Sequence, residues 1–137
     1  MMIYLDNAAA TPIDSRVLAA IMPYFSDEFY NPSAAYLAAR QVRVDVEEAR
    51  HTLAKTIGAR SAEIILTAGA TESINLALGG VDGRIVTTAI EHSAVLETAR
   101  ARGGHILPVD VGGRINLDEL RRVLTNDVVI VSVGYVN

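Results

Sequence analysis

From Glu63 onward the chain repeats one rhythm: a short apolar run, a polar turn, an amphipathic stretch, then another apolar run. Glu63 to Ala68, Arg84 to Ala89, His105 to Asp110 and Val128 to Val136 read as strands. Thr71 to Leu78, Ser93 to Arg102 and the stretch after Asn116 read as the helices between them. Strands alternating with helices at this spacing require crossover connections, so the sheet is mostly parallel, with helices on both faces. The fold class is α/β. Pro108 places the third strand at an edge or ends it early. Asn116, with Glu119 three residues on, has the pattern of a capping box, and Leu117, Leu120 and Leu124 are expected to form the buried face of that helix.

The first third is built differently. Residues 1–13 read as an extended arm, Asp14 as the cap of a helix carrying Val17, Leu18, Ile21 and Met22, and Pro23 as its early end. Asn31-Pro32 marks a turn, and Ser33 is the expected cap of a longer helix. Its apolar stripe is Val42, Val46, Ala49, Leu53 and Ile57, and Gly58 terminates it. A length of 137 residues predicts one compact unit, and no linker suggests a second. A strand as apolar as Val128 to Val131 expects cover on both faces, yet no closing helix follows within the 137 residues, so the architecture reads as incomplete.

Charge and composition remove several functions. Twelve Lys plus Arg against sixteen Asp plus Glu give a net charge of −4 with no basic run, which disfavours nucleic acid as a partner. No signal-like start and no bilayer-length apolar stretch are present, so a cytoplasmic protein without a membrane span is expected. The absence of cysteine excludes thiolate chemistry within these residues, and Lys55 is the single lysine. His51 and His105 have no clustered partners in sequence, so a metal site is not indicated.

Three segments can carry chemistry. Thr67-Ala68-Gly69-Ala70-Thr71-Glu72-Ser73 lies where a strand gives way to a helix. There the amides of Ala70 and Thr71 lack intrahelical acceptors, the dipole is positive and the Thr71 hydroxyl adds a donor, so a phosphate fits. A tight turn at Gly69 followed by an ordinary cap accounts for the same residues without a ligand. A P-loop lysine and G-x-G-x-x-G are both missing, which disfavours ATP and NAD. Ile90-Glu91-His92-Ser93 again follows a strand and precedes a helix. The carboxyl ends of neighbouring parallel strands open on one edge, so His92 and the Ala70-Thr71 turn are expected to face one crevice, where an imidazole stacks on a flat ligand or moves a proton. The third segment is the arm, Tyr4 to Pro12, whose small residues allow close approach.

Together, in order and spacing, these segments resemble the N-terminal part of the NifS/IscS-type cysteine desulfurases, within the class V aminotransferase group of fold-type I pyridoxal-phosphate enzymes. Tyr4-Leu5-Asp6-Asn7-Ala8-Ala9 with Thr11-Pro12 looks like the opening arm, and Asn31-Pro32-Ser33 like the next loop. Thr67 to Ser73 with Asn75-Leu76-Ala77 is similar to the phosphate-binding turn, and Glu91-His92-Ser93-Ala94-Val95-Leu96 to the segment covering the cofactor ring. Tyr36, where the family usually has histidine, and Ala10, where Thr is frequent, depart from the pattern.

The resemblance implies that residues 1–137 are the arm, the helices and the first, incomplete part of the pyridoxal-phosphate-binding large domain. It implies that Ala70 and Thr71 hold the phosphate of pyridoxal 5'-phosphate and that His92 stacks on its ring. It also implies conversion of L-cysteine to L-alanine, with sulfur passed to an enzyme cysteine as a persulfide and on to a sulfur-acceptor or scaffold protein, as in iron–sulfur cluster assembly. A homodimer is the implied assembly. The family's cofactor lysine and persulfide cysteine match positions beyond Asn137, so these residues alone are expected to be inactive. Half of a split enzyme, and a non-catalytic domain for a phosphorylated ligand or scaffolding, are the alternatives. Selenocysteine lyases share the weaker motifs.

Overall fold

A computed structural model describes residues 3–135. Met1, Met2, Val136 and Asn137 lie outside the described residues, and with them the last position of the expected fourth strand. Where length alone predicts one compact unit, the chain divides into two, the first ending at Ile65 and the second beginning at Leu66.

The first unit is helical. Asp14 caps α1 (Ser15–Ile21) by accepting from the Arg16 amide, and Pro23 turns the chain into a 3-10 segment, Met22–Phe25. α2 (Leu37–Thr56) begins later than expected. Ser33 does not cap it: the N-cap position is Tyr36, and Ser33 lies three residues earlier in an Asx turn, its amide donating to the Asn31 side chain at 2.9 Å. The buried positions of α2 are Ala39, Val42 and Ala54. Leu53 and Ile57, assigned to the stripe, are 50% and 71% exposed. The difference follows from what α2 packs on: the Ser61–Glu63 turn meets the face that carries Ala54 and Arg50, and the Arg50 guanidinium donates to the Ile64 carbonyl. The Tyr24 hydroxyl ties the 3-10 segment to α2 through Asp45 at 3.1 Å.

Glu63 closes the same turn, accepting from the Arg60 amide at 2.8 Å and guanidinium at 2.9 Å. The Arg60 side chain and then its amide lower the Glu63 pKa below the ordinary glutamate value. A depressed carboxylate pKa contributes stability above the unfolded pKa, and that contribution is lost as pH falls through the folded one. An NMR titration is expected to place the Glu63 midpoint below that of a free glutamate, and Arg60→Ala to move it upward. An unchanged midpoint in the variant would show that the pair is not formed in solution.

The second unit is the α/β part. α3 (Ala70–Gly79), α4 (Ser93–Ala101) and α5 (Leu117–Val123) alternate with β1 (Arg84–Thr88), β2 (His105–Leu107) and β3 (Val128–Ser132). The sheet has the order β2-β1-β3, and both pairings are parallel. β2 ends just before Pro108 and lies at an edge, as proline requires. β1 is central, and Ile85, Val86, Thr87 and Thr88 are all buried. Its two buried hydroxyls are satisfied: Thr87 donates to the Ser132 carbonyl at 2.9 Å and Thr88 to Glu91. Leu78 of α3, Ile85 of β1 and Val95 and Ala99 of α4 form the core, with Ile74 and Ile130 packed against it. Arg84 closes the start of the sheet, its guanidinium donating to Thr125 at 2.6 Å while its amide meets the Asp127 carbonyl.

Two expectations fail here. Glu63 to Ala68 is not a strand: after Ser61–Glu63 the chain runs extended, but no neighbouring strand among the described residues pairs with it. Ile65 and Leu66 are 75% and 52% exposed, so the apolar, extended character is present without the ladder that defines a strand. In α5 the Asn116 cap is present, accepting from Asp118 and Glu119, yet Leu117 and Leu124 are 56% and 46% exposed. At seven residues the helix is too short to lay the whole leucine face on the sheet, and the strand it meets, β2, is only three residues long.

Candidate functional site

The site lies at the N-termini of α3 and α4. Gly69 precedes α3 with φ of 163°, extended backbone open to any residue, so no conformational demand explains the glycine. A Cβ there would meet nothing within 4 Å. What the glycine leaves is free space in front of the helix. The first α3 amide to find an acceptor is that of Ser73, bound to the Gly69 carbonyl at 3.1 Å. The amides of Ala70, Thr71 and Glu72 therefore have no acceptor within the helix.

Side chains hold this turn rigid. The hydroxyls of Thr67 and Ser73 share a 2.7 Å hydrogen bond, and the Glu72 carboxylate turns back to accept from the Ala68 amide at 2.7 Å. The nearest acidic group is thus tied into the turn by the backbone. Asn75, one turn into α3, donates to the Thr71 carbonyl at 2.8 Å and accepts from Thr98 of α4 at 3.1 Å. The one Thr98 hydroxyl hydrogen is shared between Asn75 and the Ala94 carbonyl, which stands 2.7 Å from the hydroxyl oxygen. This bridge sets the start of α3 against the start of α4.

His92 caps α4. Its Nδ1 accepts from the Ala94 amide at 3.1 Å, so the neutral ring carries its proton on Nε2. Ala68, Gly69, Ala70, Thr71, Glu72, Asn75 and His92 line one hollow of about 660 Å³. A second hollow of about 350 Å³, also reached by Thr71, Asn75 and His92, continues between α3 and α4 toward Glu97 and Ala101. The expectation that the Ala70-Thr71 turn and His92 face one crevice holds. Asn75 and Thr98 were not legible as a bridge, although a polar Asn amid the apolar residues of α3 is the kind of signal that marks one.

The remaining sequence candidates lie elsewhere. In the arm, the Tyr4 hydroxyl stands 2.8 Å and 3.0 Å from the carbonyls of Asp6 and Ala10, folding the segment on itself. Lys55 is exposed on α2. His51 meets the Ser61 hydroxyl at 3.3 Å, and the buried Nε2 of His105 has no hydrogen-bond partner among the described residues. Among the described residues no group of three His, Cys, Asp or Glu is placed to hold a metal, and no helix is long and apolar enough to cross a membrane.

A parallel sheet whose connections present bare helix amides and a capping imidazole to one hollow defines a protein of the α/β class. The chain belongs to the aminotransferase class-V family, whose pattern matches residues 3–137. It is 40% identical to the cysteine desulfurase IscS of Dictyoglomus turgidum, over 98% of this chain and 37% of that protein. It is 43% identical to the putative cysteine desulfurase IscS 1 of Bacillus subtilis, over 98% of this chain and 39% of that one. Among solved structures, a NifS-like protein superposes with a TM-score of 0.85 at 35% identity, covering 97% of this chain and 40% of the other. SspA in complex with cysteine also gives 0.85, at 33% identity, covering 98% of this chain and 42% of the other. The chain thus spans about two fifths of the length of the relatives it matches.

Proposed function

We propose that these residues are the N-terminal portion of a pyridoxal-phosphate-dependent cysteine desulfurase, which takes sulfur from L-cysteine, leaves L-alanine and passes the sulfur to an enzyme cysteine as a persulfide. The observation that carries the reading is the shared hollow of Thr71 and His92, which joins bare amides to an imidazole face. The names of the relatives support the reaction, and the cysteine complex of one neighbour supports the substrate.

The residues present fit the phosphate and the ring of the cofactor. Free space at Gly69 admits a phosphate against the amides of Ala70 and Thr71, where the helix dipole favours negative charge. The Thr71 hydroxyl would add a donor, and His92, oriented by its cap on the Ala94 amide, would cover the ring. Asn75 keeps the two halves of this grip in register. When bound, the cofactor supplies the electron sink for bond breaking at the amino acid, while the protein supplies binding and orientation. The 137 residues contain no cysteine, and their single lysine is exposed on α2, so the persulfide cysteine and the cofactor lysine belong to chain outside them. A cytoplasmic homodimer that hands sulfur to an acceptor or scaffold protein completes the reading.

The test is a pyridoxal-phosphate titration of the complete gene product, followed by absorbance. Thr71→Ala is expected to weaken binding roughly ten- to hundredfold, about 1.5–3 kcal/mol for a hydrogen bond to a charged group. Its intact mass accompanies the titration. A mass of 14.6 kDa with a separate lysine- and cysteine-bearing partner makes the chain half of a split enzyme. No binding of pyridoxal phosphate, or unchanged binding in Thr71→Ala, overturns the reading.

A further inference from the structure

Glu91 stands immediately before His92, in the turn between β1 and α4. Its Oε1 accepts two hydrogen bonds, from the hydroxyl of Thr88 at 2.7 Å and from the amide of Gly134 at 2.8 Å. Thr88 is the last residue of β1 and 2% exposed, and Gly134 lies two residues past the end of β3. One carboxylate oxygen therefore joins the carboxyl ends of two adjacent parallel strands. Gly134 provides independent evidence that the approach is close. A Cβ on it would stand 3.0 Å from Oε2 and 3.6 Å from Cδ of Glu91, tighter than a side chain tolerates without displacing the carboxylate. The carboxylate itself has few alternatives: charge-assisted bonds from a buried hydroxyl and a backbone amide hold it at both donors.

We propose that Glu91 is a positioning residue: by tying the β1–α4 turn to the segment leaving β3, it fixes the backbone from which His92 caps α4 and faces the hollow. His92 sets its ring through Nδ1 on the Ala94 amide, so any rotation of the turn at Glu91 is passed to the ring plane. The bridge also makes the position of residues past β3 depend on the same turn, so both strand ends present their loops to ligand as one unit. The effect on cofactor rests on the function proposed above, whereas the bridge itself does not.

The experiment compares the complete gene product with its Glu91→Gln, Glu91→Ala and Thr88→Val variants. Glutamine keeps an oxygen able to accept both bonds, alanine removes both, and valine removes the hydroxyl donor with little change of shape. The first readout is hydrogen–deuterium exchange by mass spectrometry, in the absence of cofactor. Glu91→Ala is expected to speed exchange at least tenfold at both Ala94 and Gly134 and to leave α2 unchanged. Glu91→Gln is expected to match the parent, and Thr88→Val to show a smaller change in the same direction. The second readout is the circular dichroism of bound pyridoxal phosphate, expected to change in intensity in Glu91→Ala and not in Glu91→Gln. Faster exchange at Gly134 with Ala94 unaffected overturns the proposal, as does unchanged dichroism in Glu91→Ala when the parent binds the cofactor. If Glu91→Ala does not fold, parental exchange at both amides in Thr88→Val overturns it. A parent that binds no pyridoxal phosphate overturns the functional reading, and the exchange readout then decides the role of Glu91 alone.

Discussion

Ile85→Ala is expected to lower the stability of the second unit by about 2–5 kcal/mol, the range for truncating a fully buried aliphatic side chain when the surroundings cannot close the gap. Ile85 has no exposed surface and sits on the central strand. It contacts the core formed by Leu78, Val95 and Ala99, so the loss falls on the packing that holds α3 and α4 together. Hydrogen exchange in urea separates this unit from the rest. The amides of β1 and α4 are expected to lose protection at lower denaturant, and those of α2 to keep theirs. A loss below ~1 kcal/mol would mean that the core repacks freely and that β1 is not its organiser.

Replacing His92 separates the helix cap seen at α4 from the ring stacking proposed for the same imidazole. Asparagine is among the strongest N-caps and alanine among the weakest, a difference of roughly 1 kcal/mol. His92→Ala is therefore expected to speed amide exchange in the first turn of α4 about fivefold, and His92→Asn to leave it near the parent. Pyridoxal-phosphate affinity is expected to respond differently. Both variants lose the stacking face, about 0.5–1.5 kcal/mol, or roughly two- to tenfold in dissociation constant, and alanine loses more because its turn is also released. Parental affinity in His92→Asn would remove ring stacking from the role of His92. Parental exchange in His92→Ala would remove the cap.

Much of the fold was legible because its signals are local. The caps at Asp14 and Asn116, the break at Pro23, the edge position before Pro108 and the alternation of β1, α4, β2, α5 and β3 follow from neighbouring residues. The meeting of Thr71 with His92 was legible too, since the ends of neighbouring parallel strands open to one side. What local pattern cannot supply is the partner. Glu63 to Ala68 is apolar and extended, but a strand exists only where a neighbour completes its ladder. The α2 stripe shifted from Leu53 and Ile57 toward Ala39 and Ala54 because burial depends on where the following turn docks. The contact of Glu91 with Gly134 spans 43 residues, and nothing near either position announces it.

The order β2-β1-β3 has a consequence for synthesis. β1 is the earliest of the three strands to leave the ribosome, and it is also the one with a neighbour on each side. Each later strand thus arrives at a template that is already outside, and none has to open an existing pair to enter. α3 precedes β1 and α4 follows it directly, so three of the four buried core residues, from Leu78 to Val95, emerge within one short stretch. The nascent chain can bury these core residues before β3 is made, which shortens the time they are open to wrong partners.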